Sequence, residues 1–199
     1  MSNFPTIVLG LLSLFLVYRY TPKSWQLYLL GFLIFTTGVG STLWHGLRES
    51  WALTFDVVPG ILFLLFFIYC WGSKVFNKYW GFGLLAGVFL IQYSAFEFIS
   101  FSGLVSPFII MYATVSTLGS ILIAQTYRRY GKIGHTAVLA LLLALFAASM
   151  RTLDGTICET VPFGSHLLWH ITLGLAAFVG VWMLIKIEQT TSQTEHQSL

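Results

Sequence analysis

Apolar residues in this chain come in long uninterrupted runs and do not alternate with polar ones. The runs are Phe4 to Tyr20, Ser24 to His45, Trp51 to Trp71, Trp80 to Ile99, Pro107 to Tyr127, Gly134 to Leu153 and Gly164 to Ile187, separated by short basic or Gly/Pro-containing breaks. Each can cross a bilayer as a helix, since about 20 apolar residues at ~1.5 Å rise cover the hydrocarbon layer. The pattern predicts an all-α polytopic membrane protein, a bundle of seven transmembrane helices.

The first run lacks the basic n-region of a secretory signal, and no A-x-A-like cleavage site precedes Arg19 and Lys23, so it is expected to be retained as a span. No internal repeat is visible. Residues 1–187 are expected to form one transmembrane domain. Residues 188–199, rich in Gln, Ser and Thr, are expected to be a disordered cytoplasmic tail.

Composition agrees: 57% of residues are hydrophobic, 9% are charged and the mean hydropathy is +0.82, far from soluble averages. With seven spans, Arg19, Lys23, Lys74, Lys78, Arg128, Arg129, Lys132 and Lys186 share one side with the C-terminus, leaving Arg48 and Arg151 on the other. The positive-inside rule then puts the N-terminus outside and the C-terminus in the cytoplasm. The net charge of +3 is accounted for by this cytoplasmic belt, so no nucleic-acid partner is implied, and no protein partner is evident. On the same topology Cys70 and Cys158 lie at opposite faces and do not pair. Short loops and the lack of a retrieval signal favour a bacterial inner membrane.

Ionisable residues inside spans are costly, about 2.5–3.5 kcal/mol for a central charge on insertion scales, so their placement is informative. Ser41 and His45 close the second span in GSTLWHG, Asp56 begins the third in LTFDVVP, and His166 and His170 open the seventh in GSHLLWHIT. The topology brings all of them to the outer face. His166 and His170, four apart, share a helical face about 6 Å apart along the axis, which suits two ligands of one metal. Three neutral imidazoles with an open fourth position make a typical catalytic zinc shell. Asp56 could then accept a proton from water or orient a histidine.

The structural alternative is a packing network at the helix ends, and a lone histidine there would ordinarily belong to one. Five polar residues at one depth favour the site. His135, in the basic loop, and His196, in the tail, are expected to be solvated and apart from it. Trp44 and Trp169 each precede a ligand and either line the site or pack. Glu97, Glu49, Arg48, Arg151, Asp154 and Glu159 are expected to form ion pairs closing the helix ends, with Asp154 the best candidate for a substrate contact. Gly38/Gly40 and Gly83/Gly87 are expected to permit close helix packing.

These residues resemble the alkaline ceramidases, within the wider superfamily of seven-span membrane hydrolases that includes the adiponectin-receptor proteins. The matching elements are S-x3-H at Ser41 to His45, Asp56 eleven residues on, and H-x3-H at His166 to His170, with LDGTICE (153–159) and HLLWHI (166–171) similar to segments around spans six and seven. The resemblance implies a zinc ion held by His45, His166 and His170, and hydrolysis of an amide by water activated there. Asp56 would be the proton acceptor and Ser41 would stabilise the developing oxyanion. It implies a membrane lipid as substrate, ceramide or a ceramide-like N-acyl lipid, cleaved to a fatty acid and a sphingoid-type amine. The family's eukaryotic members carry an acidic N-terminal calcium site and a cysteine able to pair with Cys158. This chain has no Asp or Glu before Glu49 and no such cysteine, so no calcium site is expected. The alternative from another class is a seven-helix lipid receptor or an ion-coupled transporter using the His/Asp cluster to bind a metal or proton. A retinal protein is disfavoured, because Lys186 at the cytoplasmic end is the only Lys of the seventh span.

Overall fold

Every apolar run becomes a helix, because backbone groups that cannot bond to solvent must bond within their own segment. The computed structural model describes residues 3–102, 107–157 and 165–197. Among them the helices are α1 (Phe4–Tyr20), α2 (Trp25–Leu47), α3 (Ser50–Val75), α4 (Lys78–Ser102), α5 (Pro107–Tyr130), α6 (Ile133–Ile157) and α7 (His166–Gln197). Five are long and apolar enough to cross a membrane: α2, α3, α4 to Glu97, α6 to Asp154 and α7 to Thr194. α1 is apolar but shorter, at 17 residues. α5 is less apolar, carrying Thr114, Ser116, Thr117, Ser120 and Thr126; Thr114, Ser120 and Thr126 return their hydroxyls to the carbonyls of Ile110, Ser116 and Leu122 one turn back.

Local signals set the turns. Pro5 sits in the first turn of α1, where its missing N–H costs nothing. Asn77 caps α4, its Oδ1 accepting from Tyr79 N and Trp80 N at 3.0 and 3.1 Å. α2 stops at Arg48, whose φ of 60° reverses the chain within two residues so that α3 starts at Ser50. Short turns make neighbours antiparallel, and the helices close into a ring in which α1 also meets α7, while α3 and α7 touch across the middle.

The two halves of the ring differ. Val17, Leu27, Leu30, Ile34, Cys70, Trp71, Val75, Leu122, Ala137 and the stretch from Val181 to Ile187 form a close apolar core at the end where α3 and α7 finish. Trp71 Nε1 donates to Thr126 Oγ1 within it, at 2.9 Å, and Lys74 pairs with Glu188 at 2.5 Å at its edge. The opposite half holds the polar residues. Phe15, Phe32, Ile61, Leu64, Phe82, Phe89, Leu90, Leu142 and Phe146 point outward from mid-helix, an apolar exterior suited to lipid.

Two sequence expectations differ in the structure. The polar segment from Glu188 is helical as far as Gln197, because it holds no Gly or Pro and Thr190, Thr191 and Thr194 bond back to carbonyls four residues earlier. Gly83 and Gly87 do not pack a helix: nothing lies within 4 Å of where their side chains would stand, and they line a cleft of about 480 Å³ between α4 and α5 with Leu84, Val88, Ala113 and Leu118. Cys158 and Glu159 lie outside the described residues; Cys70 is buried and unpaired.

Gly38 and Gly40 do permit close packing, each against a different neighbour. A Cβ on Gly38 would come 2.8 Å from Ile7 of α1. A Cβ on Gly40 would overlap the Phe55 carbonyl and stand 2.8 Å from Asp56 N of α3. Pro59, having no N–H, deprives that same Phe55 carbonyl of its usual helical donor, and Gly40 brings backbone up to it. This contact sets Asp56 beside the end of α2. Gly40→Ala is therefore expected to destabilise the fold by about 1–3 kcal/mol through overpacking against backbone that cannot yield. Gly46→Ala, with nothing within 4 Å, should leave the thermal melting point in detergent unchanged or raised. Equal melting points for the two variants would refute the contact.

Candidate metal centre

The polar half of the ring is built from the end of α2, the starts of α3 and α7, and the end of α6. His45 stands in the last turn of α2, His166 is the first residue of α7, and His170 lies one turn further on. Their imidazoles turn inward and meet. The Nε2 atoms of His166 and His170 are 3.0 Å apart, those of His45 and His166 3.3 Å, and those of His45 and His170 3.4 Å.

That triangle has the dimensions of one face of a coordination tetrahedron. Nitrogens bound to zinc at about 2.0–2.1 Å with tetrahedral angles would stand about 3.3–3.4 Å apart. The ring planes of His45 are nearly perpendicular to those of His166 and His170, at 83° and 85°, so the three contacts are edgewise and not stacked. These are the described residues close enough together to hold a metal ion.

Ser41 is buried one turn before His45, 2% exposed, with no hydrogen-bond partner of normal geometry for its Oγ; the carboxylate it faces is Asp56. Asp56 is half-buried and close enough to His45 and His166 to interact electrostatically with both. Expected site residues from α2, α3 and α7 thus share one neighbourhood.

Of the flanking tryptophans, Trp169 lies against the histidines, its ring 4.3 Å from that of His170 and 5.0 Å from that of His166. Trp44 lies instead beneath the Arg48 guanidinium at 5.7 Å. His135 bonds to Tyr127 OH at 2.8 Å at the opposite end of the bundle.

Asp154, expected among the helix-end ion pairs and the best candidate there for a substrate contact, lies against a histidine. It is 7% exposed and sits behind His166: Oδ2 lies 3.0 Å from His166 Nδ1, and Oδ1 accepts from Ser165 N at 3.0 Å. Arg151 approaches the same Oδ2 at 3.8 Å. α1 also reaches the site, where Thr6 Oγ1 donates to the His170 carbonyl at 3.4 Å. The available clue was a carboxylate ending an apolar run twelve residues before a histidine that opens the next.

Comparison with protein-family models and with curated proteins gives no match. Three converging imidazole nitrogens suit a borderline-soft divalent ion such as zinc better than calcium or magnesium, which take oxygen ligands.

Elemental analysis of the detergent-purified protein is expected to find close to one zinc per chain, with His45→Ala, His166→Ala and His170→Ala each losing most of it while keeping their helical circular dichroism. Wild type that holds no metal and takes up none when supplied would end the metal-centre reading.

Proposed function

We propose that this chain is a membrane-embedded, zinc-dependent amidohydrolase that cleaves ceramide or a ceramide-like N-acyl lipid. The observation that carries the reading is the triangle of three Nε2 atoms with an Asp and a Ser at its side, gathered at one end of an apolar bundle. The order of S-x3-H, Asp and H-x3-H along the chain resembles the alkaline ceramidases, and the outward apolar surface supports a substrate that arrives from lipid. The bundle is read as seven spans. The basic residues of the opposite end, Lys74, Lys78, Arg128, Arg129 and Lys132 among them, support an extracytoplasmic site.

Zinc held by His45, His166 and His170 would supply Lewis-acid polarisation. The chain's own groups do the rest. Asp56, beside His45 and His166, takes the proton lost by the attacking water and passes it to the amide nitrogen as the C–N bond breaks. The water's oxygen remains on the acyl carbon as the fatty acid, and the amine leaves neutral. Ser41 Oγ, buried one turn before His45, donates to the carbonyl oxygen as negative charge develops there. Trp169 closes one wall with an aromatic face.

Asp56→Asn separates hydrolase from receptor or carrier. The amide preserves shape but cannot take a proton, so turnover of a fluorescent ceramide in mixed micelles should fall by about 10²–10⁴-fold. Zinc content and lipid retention should be unchanged. Undiminished turnover in this variant, or zinc-loaded wild type that binds the lipid without cleaving it, would defeat the reading, the second outcome favouring a receptor.

A further inference from the structure

Two of the three cluster histidines come from the first turn and a half of α7, where helix ends ordinarily fray, so something must hold that turn and set the proton on each ring. Asp154, at the end of α6, touches it twice. Oδ1 accepts the N–H of Ser165, the residue preceding α7, and Oδ2 lies at 3.0 Å from Nδ1 of His166. Ser165 Oγ adds a third tie, donating to Met150 O at 2.6 Å.

The chemistry of the Oδ2 contact is directional. With Asp154 ionised beside the Arg151 guanidinium, its carboxylate can only accept, which places the hydrogen on Nδ1. A neutral imidazole carries one N–H, and placing it on Nδ1 leaves Nε2 as a bare lone pair. In His166 that lone pair points at Nε2 of His45 and of His170. Arg151 strengthens the arrangement from the far side: its guanidinium lies 3.8 Å from Oδ2 and 5.0 Å over the Trp169 ring, which itself rests on both α7 histidines.

We propose that Asp154 is the positioning residue of the three-histidine cluster, fixing His166 as its Nδ1–H tautomer and clamping the start of α7 to the end of α6. The inference rests on the metal-centre reading for its consequence, tighter zinc binding, but the tautomer itself is a property of the metal-free chain. Residues that orient a metal-bound histidine from behind commonly contribute about 10–100-fold in metal affinity.

Zinc affinity is measured by competition with a chromophoric chelator on the detergent-solubilised full chain, as wild type, Asp154→Ala, His166→Ala and the double variant. Asp154→Ala should weaken zinc binding by about 10–100-fold in the wild-type background and by little in the His166→Ala background, because its effect passes through that ring. Unchanged affinity in Asp154→Ala, or an equal loss in both backgrounds, would overturn the proposal, the latter showing a role in helix docking alone. A second measurement needs neither zinc nor an Asp154 variant. Nitrogen-15 spectra of metal-free wild type labelled at histidine, with His166 assigned by its loss in His166→Gln, should show His166 protonated at Nδ1 and bare at Nε2. The opposite tautomer would overturn the proposal even if every Asp154 variant failed to fold. Should the wild type bind no zinc, the metal reading alone falls, and the spectrum still decides the pairing.

Discussion

Hydrocarbon offers no hydrogen bonds, and nearly every feature of this bundle follows from the need to satisfy each polar group from within the chain. Helices meet that need for the backbone. Side-chain hydroxyls meet it by bonding to the carbonyl one turn back, as Ser13, Thr37, Thr42, Thr126 and Thr172 do. The imidazoles and carboxylates cannot be satisfied so locally. Where they occur they have to be brought together from different helices, and that requirement gives one half of the ring a polar interior while the other half is packed with aliphatic side chains.

The joint between α2 and α3 shows how backbone chemistry places a side chain. Removing one helical hydrogen bond with Pro59 would ordinarily weaken α3. Here the freed Phe55 carbonyl faces the bare Cα of Gly40, and the two helices approach more closely than any side chain would allow. Asp56 follows Phe55 and Ser41 follows Gly40, so the close approach brings the carboxylate and the hydroxyl together. Proline and glycine, both poor helix residues, become the means of positioning polar ones.

Much of this was legible in the sequence. The run Phe4–Tyr20 is helical to the residue, and α3, α4, α5 and α6 exceed their apolar runs by up to four residues while α7 continues ten residues further, because polar residues extend a helix without adding to its hydropathy. The i, i+4 spacing put His166 and His170 on one face, and counting turns put His45 at the same depth. Azimuth was not legible: hydropathy says which residues are in a span, but not which way a helix turns. Gly83 and Gly87 have the same spacing as a packing motif yet face an open cleft, and Trp44, placed next to His45 in sequence, turns to Arg48. Asp154 does take part in the ion pair expected at the helix end, with Arg151, but its contact with His166, twelve places away, depends on how α6 and α7 face each other, which hydropathy does not show.

The proton count distinguishes a metal centre from a packing network more sharply than proximity does. With the Nδ1 hydrogen of His166 committed to Asp154, its Nε2 can only accept. A metal-free network would then require His45 and His170 both to aim N–H groups at that one lone pair, with their own Nε2 atoms 3.4 Å apart and two hydrogens crowded between them. If either ring instead keeps its hydrogen on Nδ1, its bare Nε2 faces the bare Nε2 of His166 across 3.3 Å for His45 or 3.0 Å for His170. Each arrangement leaves a repulsive edge in the triangle, in surroundings of low polarity where such repulsion is poorly screened. A divalent cation at the centre would turn all three lone pairs from a liability into ligands, removing every unfavourable edge at once.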